Sequence, residues 1–256
     1  MDGLWRTAAV TERPTSPGRP GIPLIQLNRV CKVYHTPAGD FTALEDINLT
    51  FLQGEFVSVA GRSGSGKSTL MNMITGIDKP SSGEILVAGQ PLHSMSENQM
   101  AGWRGRNLGI VFQFYQLIPV LSLLENVLLP MQIAGLFTPE ERLVRANQLL
   151  ERVGLAGQEH KKPHTVSGGQ QQSAAIARAL ANDPPILIAD EPTGNLGSAA
   201  AENVFHIFES LSQSGKTVIY VTHDNELAAR ARRSLRLSDG RLAHDNPNHR
   251  PEERKP

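Results

Sequence analysis

The chain has 256 residues, 39% of them hydrophobic, enough for one large α/β domain or two small ones with a real core. Lys plus Arg number 25 and Asp plus Glu 25, so the net charge is zero and the basic excess of a nucleic-acid binder is absent. The single cysteine, Cys31, excludes an internal disulfide framework. No apolar run approaches the roughly 18 residues that cross a bilayer. The N-terminus lacks the apolar segment of a secretory signal. The expected location is the cytoplasm, with any membrane link made through another chain.

Met1 to Pro23 is rich in Pro, Gly, Arg and Thr and reads as a disordered leader. Leu24 to Tyr34 alternates apolar and polar residues, a strand with an irregularity near Asn28-Arg29 and with Cys31 as a small core or strand-face residue. Phe41 to Leu44, Ile47, Leu49 and Phe51 alternate again. The opening therefore reads as antiparallel strands, and Gly54 marks the turn into the next. Phe56 to Ala60 is a short apolar run, a buried parallel strand. Lys67 to Thr75 is a helix, with Leu70, Met71 and Ile74 at helical spacing. Asp78 to Gly83 is a turn cluster, Glu84 to Ala88 a strand and Gly89-Gln90 another turn. Ser96 to Trp103 reads as a short helix, and Asn107 to Phe112 as a strand ending at Gln113.

The character then changes. Ser122 to Ala134 is apolar at helical spacing, although Pro130 is expected to bend or interrupt it. Thr138-Pro139-Glu140-Glu141 is a capped helix start, and that helix runs to about Val153. Phe114 to Thr165 holds no convincing strand and reads as a helical insert. Ser167 opens a helix to Asn182. Ile186 to Ala189 is a buried strand ending in Asp190-Glu191. Ser198 to Ser212 is a helix, Lys216 to Thr222 a strand ending at His223, and Asp224 to Ala231 a helix. Leu235 to Leu237 and Arg241 to His244 form a hairpin around Asp239-Gly240. From Asn246 the composition of Pro, Asn and charge predicts a disordered tail.

Chemistry concentrates in Gly61-Arg62-Ser63-Gly64-Ser65-Gly66-Lys67-Ser68-Thr69, which fits the phosphate-binding pattern G-x-x-x-x-G-K-[ST] between a strand and a helix. Gly61, Gly64 and Gly66 permit backbone conformations that a side chain forbids and a close approach to phosphate. Successive N–H groups and the positive end of the helix then face the anion. Lys67 adds a point charge for the β- and γ-phosphates. Ser68 can ligate Mg²⁺, and Thr69 is placed to contact the α-phosphate.

Asp190 and Glu191 end an apolar strand, so they emerge at the carboxyl edge of the sheet beside that loop. Two acids there suit a Mg²⁺ site through water at Asp190, and a general base or water-positioning group at Glu191. His223 ends a neighbouring strand, where a neutral imidazole can reach the γ-phosphate. Gln113 ends a fourth strand and can ligate Mg²⁺ or hold the attacking water. Ser167, Gly168, Gly169 and Gln170 form a second anion-binding helix start without an upstream strand. One ATP already has a phosphate loop, so a second such start points to two chains that each cover the other's nucleotide.

The ordered set Tyr34, Gly61 to Thr69, Gln113, Val166 to Gln172, Ile186 to Glu191 and His223 resembles the ATP-binding subunit of ABC transporters. The resemblance spans about Leu24 to Asp245. It implies an α/β fold: a P-loop (RecA-like) nucleotide-binding core, an antiparallel β subdomain and an inserted α-helical subdomain at about 114–165. It implies ATP and Mg²⁺ as ligands. Tyr34 then stacks on adenine, Gln113 senses Mg²⁺ and the membrane subunit, and His223 is the switch histidine. Ser167 to Gln170 closes over the ATP of a partner ATPase, in a homodimer or a heterodimer. Gln113 to Pro119 and Glu125 to Pro130 are similar to the macrolide-export and lipoprotein-releasing branch. That implies export or extraction through a separate membrane permease docked near Phe114 to Pro130, at the cytoplasmic face of the membrane.

Two positions depart from the family pattern. Gly197 stands where an Asp usually follows Asn195-Leu196, and Ser173 where an arginine follows the signature glutamines. Hydrolysis is expected to survive at a reduced rate. The alternative is an ATPase of the same branch that regulates a membrane or cell-wall complex with low turnover. A soluble ABC ATPase of DNA repair or translation would usually carry two nucleotide domains or a long coiled coil, and the chain has neither.

Overall fold

The computed structural model describes residues 21–247. Alternating apolar residues produce two long opening strands, β1 (Pro23–Thr36) and β2 (Gly39–Leu52), paired antiparallel. The irregularity expected near Asn28-Arg29 is a bulge: the register shifts between Leu27 and Val30, and Arg29 takes a φ of 49°. Then follow β3 (Phe56–Ala60), α1 (Lys67–Thr75), β4 (Ser82–Val87), the two-residue β5 (Gln90–Pro91), α2 (Glu97–Asn107) and β6 (Leu108–Phe112). The middle of the chain carries α3 (Leu123–Ile133), α4 (Pro139–Arg152) and α5 (Gly168–Ala179), with no strand from 114 to 165. Last come β7 (Ile186–Asp190), α6 (Ser198–Gln213), β8 (Thr217–Thr222), α7 (Asn225–Arg230), β9 (Arg233–Ser238) and β10 (Arg241–Pro247).

Two sheets result. One is antiparallel, in the order β2-β1-β4-β5; the other has the order β10-β9-β3-β8-β7-β6. In the second, β9, β3, β8, β7 and β6 are parallel and β10 is antiparallel. The central parallel strands β3, β7 and β8 are buried on both faces, so β3 and β8 read as continuous apolar runs. Leu70, Met73 and Ile74 of α1 share one core with Ile25, Leu27, Val59 and Ile219, which joins the two sheets. A second core includes Val127 of α3, Ile176 of α5, and Phe205 and Phe208 of α6, with Tyr220 of β8. The Tyr220 ring meets those of Phe56, Phe205 and Phe208 at centroid distances of 6.3, 5.4 and 5.6 Å.

Several sequence expectations change. Pro130 does not interrupt α3, which runs through it to Ile133. Val127 and Met131, fully buried on either side, outweigh the one lost N–H bond. Gln90, read as part of a turn, pairs with Val87 as the start of β5. Pro23, assigned to the leader, pairs with Leu52 in β1; residues 1–20 lie outside the described residues. Asn246 and Pro247, assigned to the tail, extend β10 opposite Ser234 and Arg233; residues 248–256 lie outside the described residues.

Candidate nucleotide site

The turn from β3 into α1 depends on its glycines. Gly64 and Gly66 adopt φ of 77° and 100°. A Cβ on Gly66 would come within 2.7 Å of the Ala43 carbonyl oxygen. One on Gly61 would come within 2.5 Å of Ser65 Oγ. α2, α3, α4 and α5 each begin with a capping box, at Ser96, Ser122, Thr138 and Ser167. By contrast α1 begins at Gly66 with no side-chain cap, so its first N–H groups keep no protein side-chain acceptor. Ser65 Oγ is buried without a hydrogen-bond partner. The Lys67 ammonium donates to the carbonyls of Gly61 and Arg62 at 2.8 and 2.9 Å. An orphan hydroxyl, uncapped N–H groups and a buried cation at one loop fit a phosphate chain.

The loop from Ser63 to Thr69 opens on a cleft of about 410 Å³ shared with Phe41, Ala43, Glu191 and His223. Ser68 is exposed there and Thr69 half-buried. Parallel pairing of β7 and β8 sets Asp190 opposite Val221, so the residues after each strand meet at one edge. His223 Nδ1 lies 3.1 Å from Glu191 Oε2. Glu191 takes a φ of 46°, and its N–H donates to the Val221 carbonyl at 3.0 Å. Burial pushes the Asp190 carboxyl above the usual carboxylate range; the Glu191 charge adds to this and Lys67 opposes it.

Gln113 sits just after β6 and packs on Gly194, where a Cβ would come within 3.0 Å of Gln113 Nε2. Asn195 Nδ2 donates to its carbonyl at 3.3 Å. Tyr34 lies on β1, with its hydroxyl donating to Asp78 Oδ2 at 3.0 Å and the Lys32 ammonium 4.8 Å from its ring centroid. Lys32 also pairs with Asp78 at 2.7 Å. Burial would raise the Asp78 pKa, but hydrogen bonds from Lys32, the Lys79 N–H and Tyr34 hold it below the usual range. Ser167 Oγ accepts from the Gln170 N–H at 3.3 Å, and Gln170 Oε1 accepts from the Ser167 N–H at 3.0 Å. Gly168 and Gly169 sit where a Cβ would come 2.7 Å from the Tyr115 hydroxyl and 2.9 Å from Ala200 Cβ.

The structure thus gathers the phosphate loop, Glu191 and His223 around one cleft. Tyr34, Gln113 and Ser167 to Gln170 do not line it. Phe41 does, and the sequence reading passed over it. It stands opposite Tyr34 in the β1–β2 ladder and is 56% exposed, a large aromatic surface beside the loop. Its only sequence signal was a place in an alternating strand. Asp78 was read as one residue of a turn, and nothing local ties it to Tyr34.

The ABC transporter family model matches residues 44–194, which take in the phosphate loop, Gln113, the Ser167 helix start, Asp190 and Glu191. The macrolide export ATP-binding/permease protein of Hyphomonas neptunium is 42% identical over 226 residues, covering 88% of this chain and 35% of that protein. The chain thus spans little more than a third of that relative. An uncharacterized ABC transporter ATP-binding protein of Thermotoga maritima is 43% identical, covering 86% of this chain and 93% of that protein. The dimeric, post-hydrolysis structure of the ATP-binding cassette MJ0796 bound to ADP and Pi matches with a TM-score of 0.82 at 39% identity, covering 89% of this chain and 100% of that one. The P-loop fold, the site geometry and these relatives agree: the chain belongs to the ABC transporter family.

Proposed function

We propose that the chain is the ATP-binding and ATP-hydrolysing subunit of an ABC transporter. It drives export or extraction of a substrate through a separate membrane permease by ATP-dependent dimerisation. The observation that carries this is the division of the site. The phosphate loop, Glu191 and His223 share one cleft, whereas the capped helix start at Ser167 to Gln170 lies outside its lining. A second ATPase chain, identical or related, brings its own Ser167 to Gln170 to the open side of this cleft. The solved MJ0796 cassette is dimeric, which supports a two-chain assembly.

ATP enters as Lys67 transfers its bonds from the Gly61 and Arg62 carbonyls to the β- and γ-phosphates. The N–H groups of the loop from Gly61 to Thr69, which includes Arg62 and Ser63, and the Ser65 hydroxyl take the remaining oxygens. Thr69 contacts the α-phosphate. Tyr34, its hydroxyl fixed on Asp78, stacks on adenine, and Phe41 closes the apolar side. Glu191 orients water on the γ-phosphorus and accepts its proton; the bond from phosphorus to the bridging oxygen breaks, leaving ADP and phosphate. His223, beside Glu191, holds the γ-phosphate. Ser68 and, through water, Asp190 offer oxygen donors for Mg²⁺, which would neutralise phosphate charge; Gln113, which does not line this cleft, would complete the set only by moving towards it.

The working unit spans 24–245, with 114–165 as its helical insert and Phe114 to about Pro130 as the stretch that meets the permease. Phe114 and Val120 are 72% and 75% exposed there, an apolar surface for a membrane partner. No described helix is long and apolar enough to cross a membrane. A peripheral subunit at the cytoplasmic face of the membrane, with no nucleic acid partner, accommodates these features. Several relatives are named as export ATP-binding/permease proteins.

Phosphate release tests the reading, measured for the chain alone and with a co-purifying membrane partner, beside Glu191→Gln. Release that the partner stimulates and Glu191→Gln abolishes supports it. Tight ATP binding with no release in either setting overturns hydrolysis. That result favours the second reading, a low-turnover regulator of a membrane or cell-wall complex. One observation leans that way: α6 starts at Gly197 with no side-chain cap.

A further inference from the structure

Arg178, in the last turn of α5, is a half-buried cation with an unusual pair of partners. Burial pulls its pKa below the ordinary arginine value. Its guanidinium donates to two backbone carbonyls, from Nη1 to Gln116 and from Nη2 to Tyr115, the latter at 2.9 Å. Tyr115 and Gln116 have φ of 53° and 52° and are the only adjacent non-glycine residues with positive φ among the described residues. Such a pair persists only where its surroundings hold it. A planar guanidinium fork can grip two successive carbonyls at once; a lysine ammonium, a single point on a flexible stem, is poorly shaped for that.

Two more contacts fasten the same segment to α5. Gln172 Nε2 donates to the Phe112 carbonyl at 3.3 Å. The Tyr115 hydroxyl lies against Gly168, closer than a Cβ there would allow. Residues 112–116 are therefore bound at three levels of the helix that begins with Ser167 to Gln170. Gln113 lies within the fastened stretch.

We propose that Arg178 is a positioning residue that locks the turn after Gln113 and so sets where this glutamine stands relative to the cleft. This rests on the role given above to Gln113.

The test uses the full chain with Arg178→Lys, which keeps the charge and loses the fork. The expected kcat for ATP falls about ten-fold with KM within about two-fold, because positioning and not nucleotide binding is lost. Amide hydrogen exchange over 112–118 rises while exchange elsewhere does not. Adding Gln116→Gly, which makes the left-handed turn easy to hold, restores part of kcat. An unchanged kcat, a raised KM at unchanged kcat, or exchange that rises along the whole chain overturns the proposal. If Arg178→Lys fails to fold, the double variant decides: a folded, active protein supports the clamp, and failure of both overturns it. A wild-type chain that does not release phosphate sinks the reading of the site instead, and the exchange over 112–118 then decides the clamp alone.

Discussion

His223 presents Nδ1 to Glu191 Oε2 at 3.1 Å across the ends of two neighbouring parallel strands. The acid is anchored from behind by its own N–H on Val221, in a left-handed backbone conformation that a glutamate adopts only under constraint. The backbone that carries the carboxylate is therefore fixed at the cleft, and His223 is the side chain it meets there.

Glu191→Gln keeps the size of the side chain and a hydrogen bond to His223 while removing the proton acceptor. Turnover is expected to fall by about 100-fold or more, the low end of general-base effects, with ATP affinity retained. Phosphate release and nucleotide binding measured on the same preparation check this. Turnover above a tenth of wild type would remove Glu191 from its role.

Lys67→Ala removes the cation that faces the phosphates. In thermal melts, ATP at 100 times its Kd stabilises a binding protein by about 2.7 kcal/mol. The wild-type chain is expected to show a shift of that kind and the variant almost none. An equal shift in both would place the phosphates elsewhere.

Asp190 gives a pH dependence whose sign can be worked out. Its carboxyl binds a proton more readily folded than unfolded, because burial and then the Glu191 charge disfavour its ionised form. Between the ordinary and the raised pKa the folded state holds more protons, so stability falls as pH rises through that window. Asp190→Asn has no such loss. Without nucleotide it is expected to melt above wild type at neutral pH, with the gap closing as the pH falls below the ordinary carboxylate pKa. A gap that widens on acidification would contradict this.

Gly66 and Gly197 both stand at helix starts, yet substitution has opposite signs. Gly66→Ala puts a Cβ within 2.7 Å of the Ala43 carbonyl at a φ of 100° and is expected to cost about 1–3 kcal/mol or more. At Gly197 a Cβ meets nothing within 4 Å and the φ of −68° suits any residue. Gly197→Asp gives α6 the side-chain cap that it lacks and a negative charge at its positive end. A gain of about 0.3–1 kcal/mol is expected. Denaturant unfolding of the two variants beside wild type separates the signs.

What was legible in the sequence was local. The phosphate loop, the capping box at Thr138, the helix start at Ser167 and the bulge at Asn28-Arg29 are each set by residues a few positions apart. What was hidden joins distant segments. Asp78 reaches Tyr34 across 44 positions and Arg178 reaches Tyr115 across 63. Phe41 lines the cleft because two sheets meet there, which alternation along one strand does not encode. The interruption expected at Pro130 is absent, because the packing of Val127 and Met131 outweighs one lost N–H bond. Asn246 gave no strand signal because its pairing is decided by Ser234 on the neighbouring strand.

Lys67 rests its ammonium on the carbonyls of Gly61 and Arg62, so the loop's own backbone answers a charge that burial would otherwise leave bare. On the proposed reading, a phosphate that takes this cation displaces those two carbonyl bonds. Its gain is then the difference between two sets of acceptors and not the relief of a bare buried charge.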